Sequence, residues 1–67
     1  MNDAKLLRDA IAASGLSQVG FAGLLGVDPS TVRRWLSGAR EVHPVVLVVC
    51  RAIIRDPGIV ASLAPPK

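Results

Sequence analysis

The residues best equipped for chemistry in this 67-residue chain are two adjacent arginines, Arg33 and Arg34, preceded by Ser30 and Thr31. Guanidinium groups bind phosphate oxygens, and they bind the O6/N7 edge of guanine in bidentate fashion. Small hydroxyl side chains at the start of a helix, with its free backbone amides, suit acceptors on phosphates or base edges. Other chemistries lack their parts. His43 and Cys50 are the only histidine and the only cysteine, and nothing in the sequence orients either one as a base or a nucleophile. A single histidine without Cys, Asp or Glu at ligand spacing makes no metal site. No paired carboxylates share a segment, and no glycine-rich phosphate loop occurs. The chain is expected to bind rather than catalyse, with neither metal nor cofactor.

Two short helices must position those arginines. Ser17 can cap the first, with Val19, Ala22 and then Leu24 or Leu25 recurring at helical spacing beside Phe21. Gly26 stands where that helix needs a residue of positive φ. After Val27 the chain restarts at Asp28-Pro29, a cap followed by a residue whose fixed φ suits the first helical position. Val32, Trp35 and Leu36 face inward together, leaving Ser30, Thr31, Arg33 and Arg34 on the other faces. Trp35 is assigned to the core, since double-stranded DNA offers no splayed base for it to stack on. Gly38 stops the second helix. Helix, short glycine-containing turn, helix is the helix-turn-helix arrangement.

The stretch GLSQVGFAGLLGVDPSTVRRWLSG resembles the helix-turn-helix of the phage repressor and Cro-like family of bacterial regulators, over roughly residues 4 to 55. The resemblance implies an all-α, compact five-helix DNA-binding domain whose partner is double-stranded DNA. It implies a phosphate contact for Gln18 and places Pro29, Ser30, Arg33 and Arg34 at the major groove. It also implies a sugar-phosphate contact for Arg40, just after the recognition helix. Thr31 joins the readout set, and His43 is a candidate for phosphate contact or for capping the next helix. The chain departs from the family pattern twice. Pro29 replaces a residue that is often polar and base-reading. Gly20 stands where many members carry Glu, so Ser17 lacks its reciprocal capping partner.

Length and charge set further bounds. Sixty-seven residues allow one domain, expected over residues 1–63, with the helix-turn-helix at 17–38 and a flexible tail at 64–67. A chain this short buries only about 60% of its unfolded surface. A lone thiol fits a reducing compartment. The first fourteen residues carry Asp3, Lys5, Arg8 and Asp9 and do not read as a signal peptide, and the apolar run 45–50 is too short to span a bilayer. A soluble, cytoplasmic protein without a membrane role is expected. Charge is uneven. Residues 1–28 carry Lys5 and Arg8 against Asp3, Asp9 and Asp28, a net of −1. Residues 29–55 carry Arg33, Arg34, Arg40, Arg51 and Arg55 against Glu41, a net of +4, which fits a polyanionic partner.

The remaining segments complete the helical reading. A first helix capped by Asn2 or Asp3 runs to about Ser14, with Leu6, Leu7, Ala10 and Ile11 as its buried stripe and a Lys5–Asp9 pair outside. Residues 39–43 form a loop. A fourth helix starts at Pro44 and runs through Arg55, apolar nearly all round; its four valines would also suit a strand, but Pro44 at the first helical position and the lack of a partner strand favour a helix. Asp56-Pro57 begins a short fifth helix. Residues 44–63 are expected to form a homodimer seam through Val45, Val48, Val49, Ile53, Ile59, Val60 and Leu63, although Ile59, Val60 and Leu63 could instead close the protomer's own core. The expected function is a sequence-specific transcriptional regulator, a homodimeric repressor or autorepressor on an inverted-repeat operator. Chains this short resemble regulators carried by phages and other mobile elements, including Cro-like proteins, antitoxins and anti-CRISPR-associated repressors. The alternative is an interaction module whose last two helices grip a toxin or another protein.

Overall fold

In a computed structural model, which describes residues 3–63 apart from the side chain of Leu63, the first apolar stripe lies along helix α1 (Asp3–Ser14). Leu7 and Ala10 are fully buried, with Leu6 and Ile11 half-buried beside them. Lys5 and Asp9 pair on the outer face at 2.9 Å, a contact of a few tenths of a kcal/mol. Asn2, the other expected cap, lies outside the described residues. At the far end the Ser14 hydroxyl donates to the Ile11 carbonyl at 2.6 Å and accepts from the Leu16 amide at 3.1 Å.

Helix α2 (Gln18–Leu25) begins at Ser17, whose hydroxyl accepts from the Gly20 amide at 3.0 Å. It ends at Gly26, with φ at 74°, and the Val27 amide reaches back to the Ala22 carbonyl at 3.0 Å. Only a residue at ease with positive φ lets that reach-back bond form without strain. One expectation fails here. Val19 is 63% exposed, and Phe21 and Ala22 are the residues of α2 that are fully buried. The helix reads Val-Gly-Phe-Ala-Gly-Leu-Leu, apolar on every side, so spacing alone does not select its inner face.

Three residues, Gly26 to Asp28, turn the chain into α3 (Pro29–Ser37). Asp28 caps it, accepting from the Ser30 amide at 2.8 Å, and Pro29 occupies the first position. Val32 and Trp35 are buried and Leu36 is half-buried. After α3 the loop is held by Val42, only 6% exposed. His43 then caps α4 (Pro44–Arg55), its Nδ1 accepting from the Val45 amide at 3.1 Å. The strand alternative for 45–49 is thereby removed. The expected fifth helix is divided: Asp56 caps a single 3-10 turn, Pro57–Ile59, and one helical turn follows as α5 (Val60–Leu63). Residues 64–67, expected as a tail, lie outside the described residues.

The elements gather around α1, which touches α2, α3, α4 and the 3-10 turn. Leu7 and Ala10 meet Phe21 and Ala22 from α2, Val32 and Trp35 from α3, Val42 from the loop, and Cys50 and Ile53 from α4. Burial pushes the Cys50 thiol up to about 11, so it packs as a small apolar group.

Two predictions follow from this packing and capping. Ile53→Val should cost roughly 0.5–1.5 kcal/mol in urea unfolding with the slope unchanged, while Val48→Ala should cost less than about 0.5 kcal/mol. The Asp28 carboxyl is held below its ordinary 3.8, chiefly by the Ser30 hydroxyl and then by the Ser30 amide. A lowered folded value makes its stabilisation present above the unfolded value and lost as the pH falls through the folded one. The melting-temperature difference between wild type and Asp28→Asn should therefore change as the pH drops from about 5 to about 2. A difference that stays constant over that range would contradict the cap's assigned role.

Candidate nucleic-acid interface

Each residue of a helix advances about 100° around its axis, so burying Val32 and Trp35 turns Arg33 and Arg34 outward. Both arginines are exposed, and neither forms a salt bridge among the described residues. Pro29, Ser30 and Thr31 are half-buried at the leading end of the same helix. The sequence reading offered free amides there, but two of them are taken. The Ser30 amide donates to the Asp28 carboxylate, and the Thr31 amide donates to the Asp28 carbonyl at 2.9 Å. What this end presents outward is therefore carried by side chains.

Arg40 is tied to the trailing end of α3. Its amide donates to the Arg34 carbonyl at 3.3 Å, and the Ser37 hydroxyl donates to the same oxygen at 3.1 Å. Gly38, with φ at 82°, makes this reversal possible. Thr31, Arg40 and His43 line one open cleft of about 380 Å³, together with Trp35, Glu41, Val42 and Pro44. Because Nδ1 of His43 accepts from Val45, its ring holds the start of α4 and leaves Nε2 as the nitrogen able to meet a ligand. Gln18 is exposed at the first turn of α2 and does not line that cleft.

One residue and one contact escaped the sequence reading. Val42 anchors the loop that carries Arg40 and His43, and its only signal was an apolar residue inside a polar stretch. The cap at Asp28 was read, but not its partner Ser30, whose hydroxyl donates to the Asp28 carboxylate at 2.7 Å. An acidic cap two residues before a serine was the available signal.

The expected seam residues divide. Val45 and Val48 are each 62% exposed, while Val49, Ile59 and Val60 are half-buried. Val45 and Val49 line an apolar groove of about 270 Å³ with Leu24, Leu25 and Val46. Val48 and Ile59 line a different groove of about 610 Å³, with Arg51, Ala52, Arg55 and Asp56. Ile53 is fully buried, so its side chain belongs to the protomer's own core and is corrected from seam to core. The side chain of Leu63 lies outside the described residues.

Among the described residues no group of His, Cys, Asp or Glu could hold a metal, and no helix is long and apolar enough to cross a membrane. A protein-family model described as helix-turn-helix matches residues 7–49, from the buried stripe of α1 into the first half of α4. Comparison with curated proteins and with solved structures gives no match. The matched span covers most of the chain and takes in both helices, the Gly26–Asp28 turn and the buried face of α3, and on this ground the protein belongs to the helix-turn-helix family of phage repressor and Cro-like DNA-binding regulators.

Proposed function

We propose that this protein is a sequence-specific regulator of transcription that lays α3 in the major groove of double-stranded DNA. The observation that carries this reading is the outward placement of Arg33 and Arg34 on a helix whose other side is locked into the core. Direct readout falls to Arg33, Arg34, Ser30 and Thr31, with Pro29 limited to apolar contact. Gln18, Arg40 and His43 set the register on phosphates and sugars. Residues 1–63 act as one DNA-binding unit.

The working species is a homodimer on an inverted repeat, with half-sites about one helical turn (~34 Å) apart. The apolar groove of Leu24, Leu25, Val45 and Val49 is the surface best suited to a second copy, since it carries no like charge to oppose itself. The neighbouring groove would set Arg51 and Arg55 against their own counterparts in a two-fold pairing. Repression by occupying a promoter asks only for binding, and autorepression by a phage or other mobile-element regulator is its simplest form. The exposed Val45 and Val48 also favour a second reading, in which the exposed valines of α4 take a toxin or another protein partner.

The first experiment is a titration against DNA from immediately upstream of the gene and against a scrambled duplex, at physiological and doubled salt. A preference of about a thousandfold or more for the native duplex is expected. Equal, salt-sensitive binding to both would overturn the proposal. Arg34→Ala should cost roughly 1–3 kcal/mol on the cognate site and relax base preference, whereas Arg40→Ala should weaken all sequences alike. In sedimentation of the protein alone, wild type should run as a dimer and Val45→Glu as a folded monomer. A wild-type monomer would remove the homodimer and leave the protein-partner reading.

A further inference from the structure

We propose that the groove where α4 meets the 3-10 turn is a docking site for an acidic amphipathic helix of another protein. The inference deepens the protein-partner reading of α4 given above and stands apart from the reading of DNA by α3. Val48, Arg51, Ala52 and Arg55 recur at i, i+3, i+4 and i+7, so they share one face of α4, and Ile59 joins them from the 3-10 turn. The groove they line holds about 610 Å³. Val48 and both arginines are exposed, while Ala52 and Ile59 are half-buried. Neither arginine has a partner of its own. α4 contains no Asp or Glu, and neither Arg51 nor Arg55 closes a salt bridge among the described residues. On α1 the opposite holds, since Lys5 meets Asp9 at i+4. Like charges at i and i+4 destabilise a helix until an anion neutralises them. Asp56 is the one carboxylate in the lining, and its Oδ1 is engaged as a cap by the Gly58 amide at 3.2 Å. Two arginines against one carboxylate leave the groove a net of +1.

An acidic helix answers both halves of this chemistry. Guanidinium groups take carboxylates in bidentate fashion. Carboxylates four residues apart on a partner helix stand about 6 Å apart along its axis, the same rise that separates Arg51 from Arg55. The partner's apolar stripe then covers Val48, Ala52 and Ile59, the helix-in-groove mode of recognition. A phosphate backbone would supply anions but leave those apolar side chains uncovered, and Arg51 and Arg55 lie at the end of α4 away from His43 and its cleft. A second copy fits no better. Two-fold pairing sets the arginines against their own counterparts. In any other pairing the copy offers α1, the one described helix that contains carboxylates, and there Asp3 and Asp9 are balanced by Lys5 and Arg8.

The test uses two labelled helical peptides, titrated with the full chain at physiological salt and read by fluorescence anisotropy. Both repeat leucine at i, i+3, i+4 and i+7; beside that stripe one carries glutamates at i and i+4, and the other carries lysines there. Wild type should bind the glutamate peptide at least about tenfold tighter than the lysine peptide. Arg51→Glu/Arg55→Glu should reverse that order, with a melting curve like that of wild type because both side chains are exposed. Arg51→Gln/Arg55→Gln, which introduces no new charge, should bring the two peptides within about threefold of each other. The same neutral variant should keep the wild-type salt dependence on duplex DNA, since each lost phosphate contact lowers that slope by about one. Equal binding of both peptides by wild type, or no saturation below about 1 mM, would overturn the proposal. A reduced salt slope would assign the groove to DNA, and a changed sedimentation of the neutral variant would assign it to a second copy; either result overturns it. Wild type that fails to tell native from scrambled duplex strikes the DNA reading alone, because the peptide titrations do not involve α3.

Discussion

The outward placement of Arg33 and Arg34 depends on the burial of one side of α3. Nine residues make a helix only about 13 Å long, too short to persist alone in water. Its stability is borrowed from the core, where Val32 and Trp35 meet Phe21, Ala22, Leu7 and Ala10. Each fully buried apolar side chain contributes roughly 1.5–3 kcal/mol relative to exposure. That contribution also fixes rotation about the helix axis. With Val32 and Trp35 inside, Arg33 and Arg34 have no other direction than outward, and their exposure is a by-product of packing.

The ends of α3 do a second job. Asp28 closes its start and Gly38 its finish, so the chain enters and leaves within a few residues. The trailing reversal delivers Arg40 beside the last turn through the Arg34 carbonyl, and Val42 then pins the loop into the core. His43 starts α4 at the edge of the same cleft. Caps that began as solutions for orphan backbone groups thus determine which side chains share a surface. Asp28 makes the coupling most direct, since the oxygen that ends the turn also fixes the Ser30 hydroxyl.

What the amino-acid sequence disclosed follows this division between local and tertiary causes. Ser17, Gly26, Asp28-Pro29 and Gly38 could be read because a cap or a positive-φ reversal is decided by a few adjacent residues. The face of α3 was equally legible, because polar and apolar residues alternate around it with the helical period. In α2 and α4 that contrast is missing. Val19 was misplaced and Ile53 was assigned to a seam, because a helix apolar all round gives no sign of which side its neighbours will cover. Val42 was missed for a related reason, since a loop residue is buried only when distant elements happen to meet over it. The division of the last segment into a 3-10 turn and one helical turn depends on how Ile59 and Val60 reach the core.

The positive charge is less concentrated around α3 than its count suggests. Residues 29–55 hold five arginines, yet only Arg33, Arg34 and Arg40 belong to α3 and the loop after it. Arg51 and Arg55 lie toward the other end of α4, roughly 10–17 Å along its axis from the His43 end that borders the cleft. They line a groove with Val48 and Ile59, away from the residues that flank α3. Nonspecific affinity for DNA scales with the phosphates a protein neutralises. Three arginines on α3 and the loop after it, with an acidic cap among them, make a modest local excess of positive charge. On the reading proposed above, a charge excess this small leaves tight binding at physiological salt to base contacts and to a second protomer.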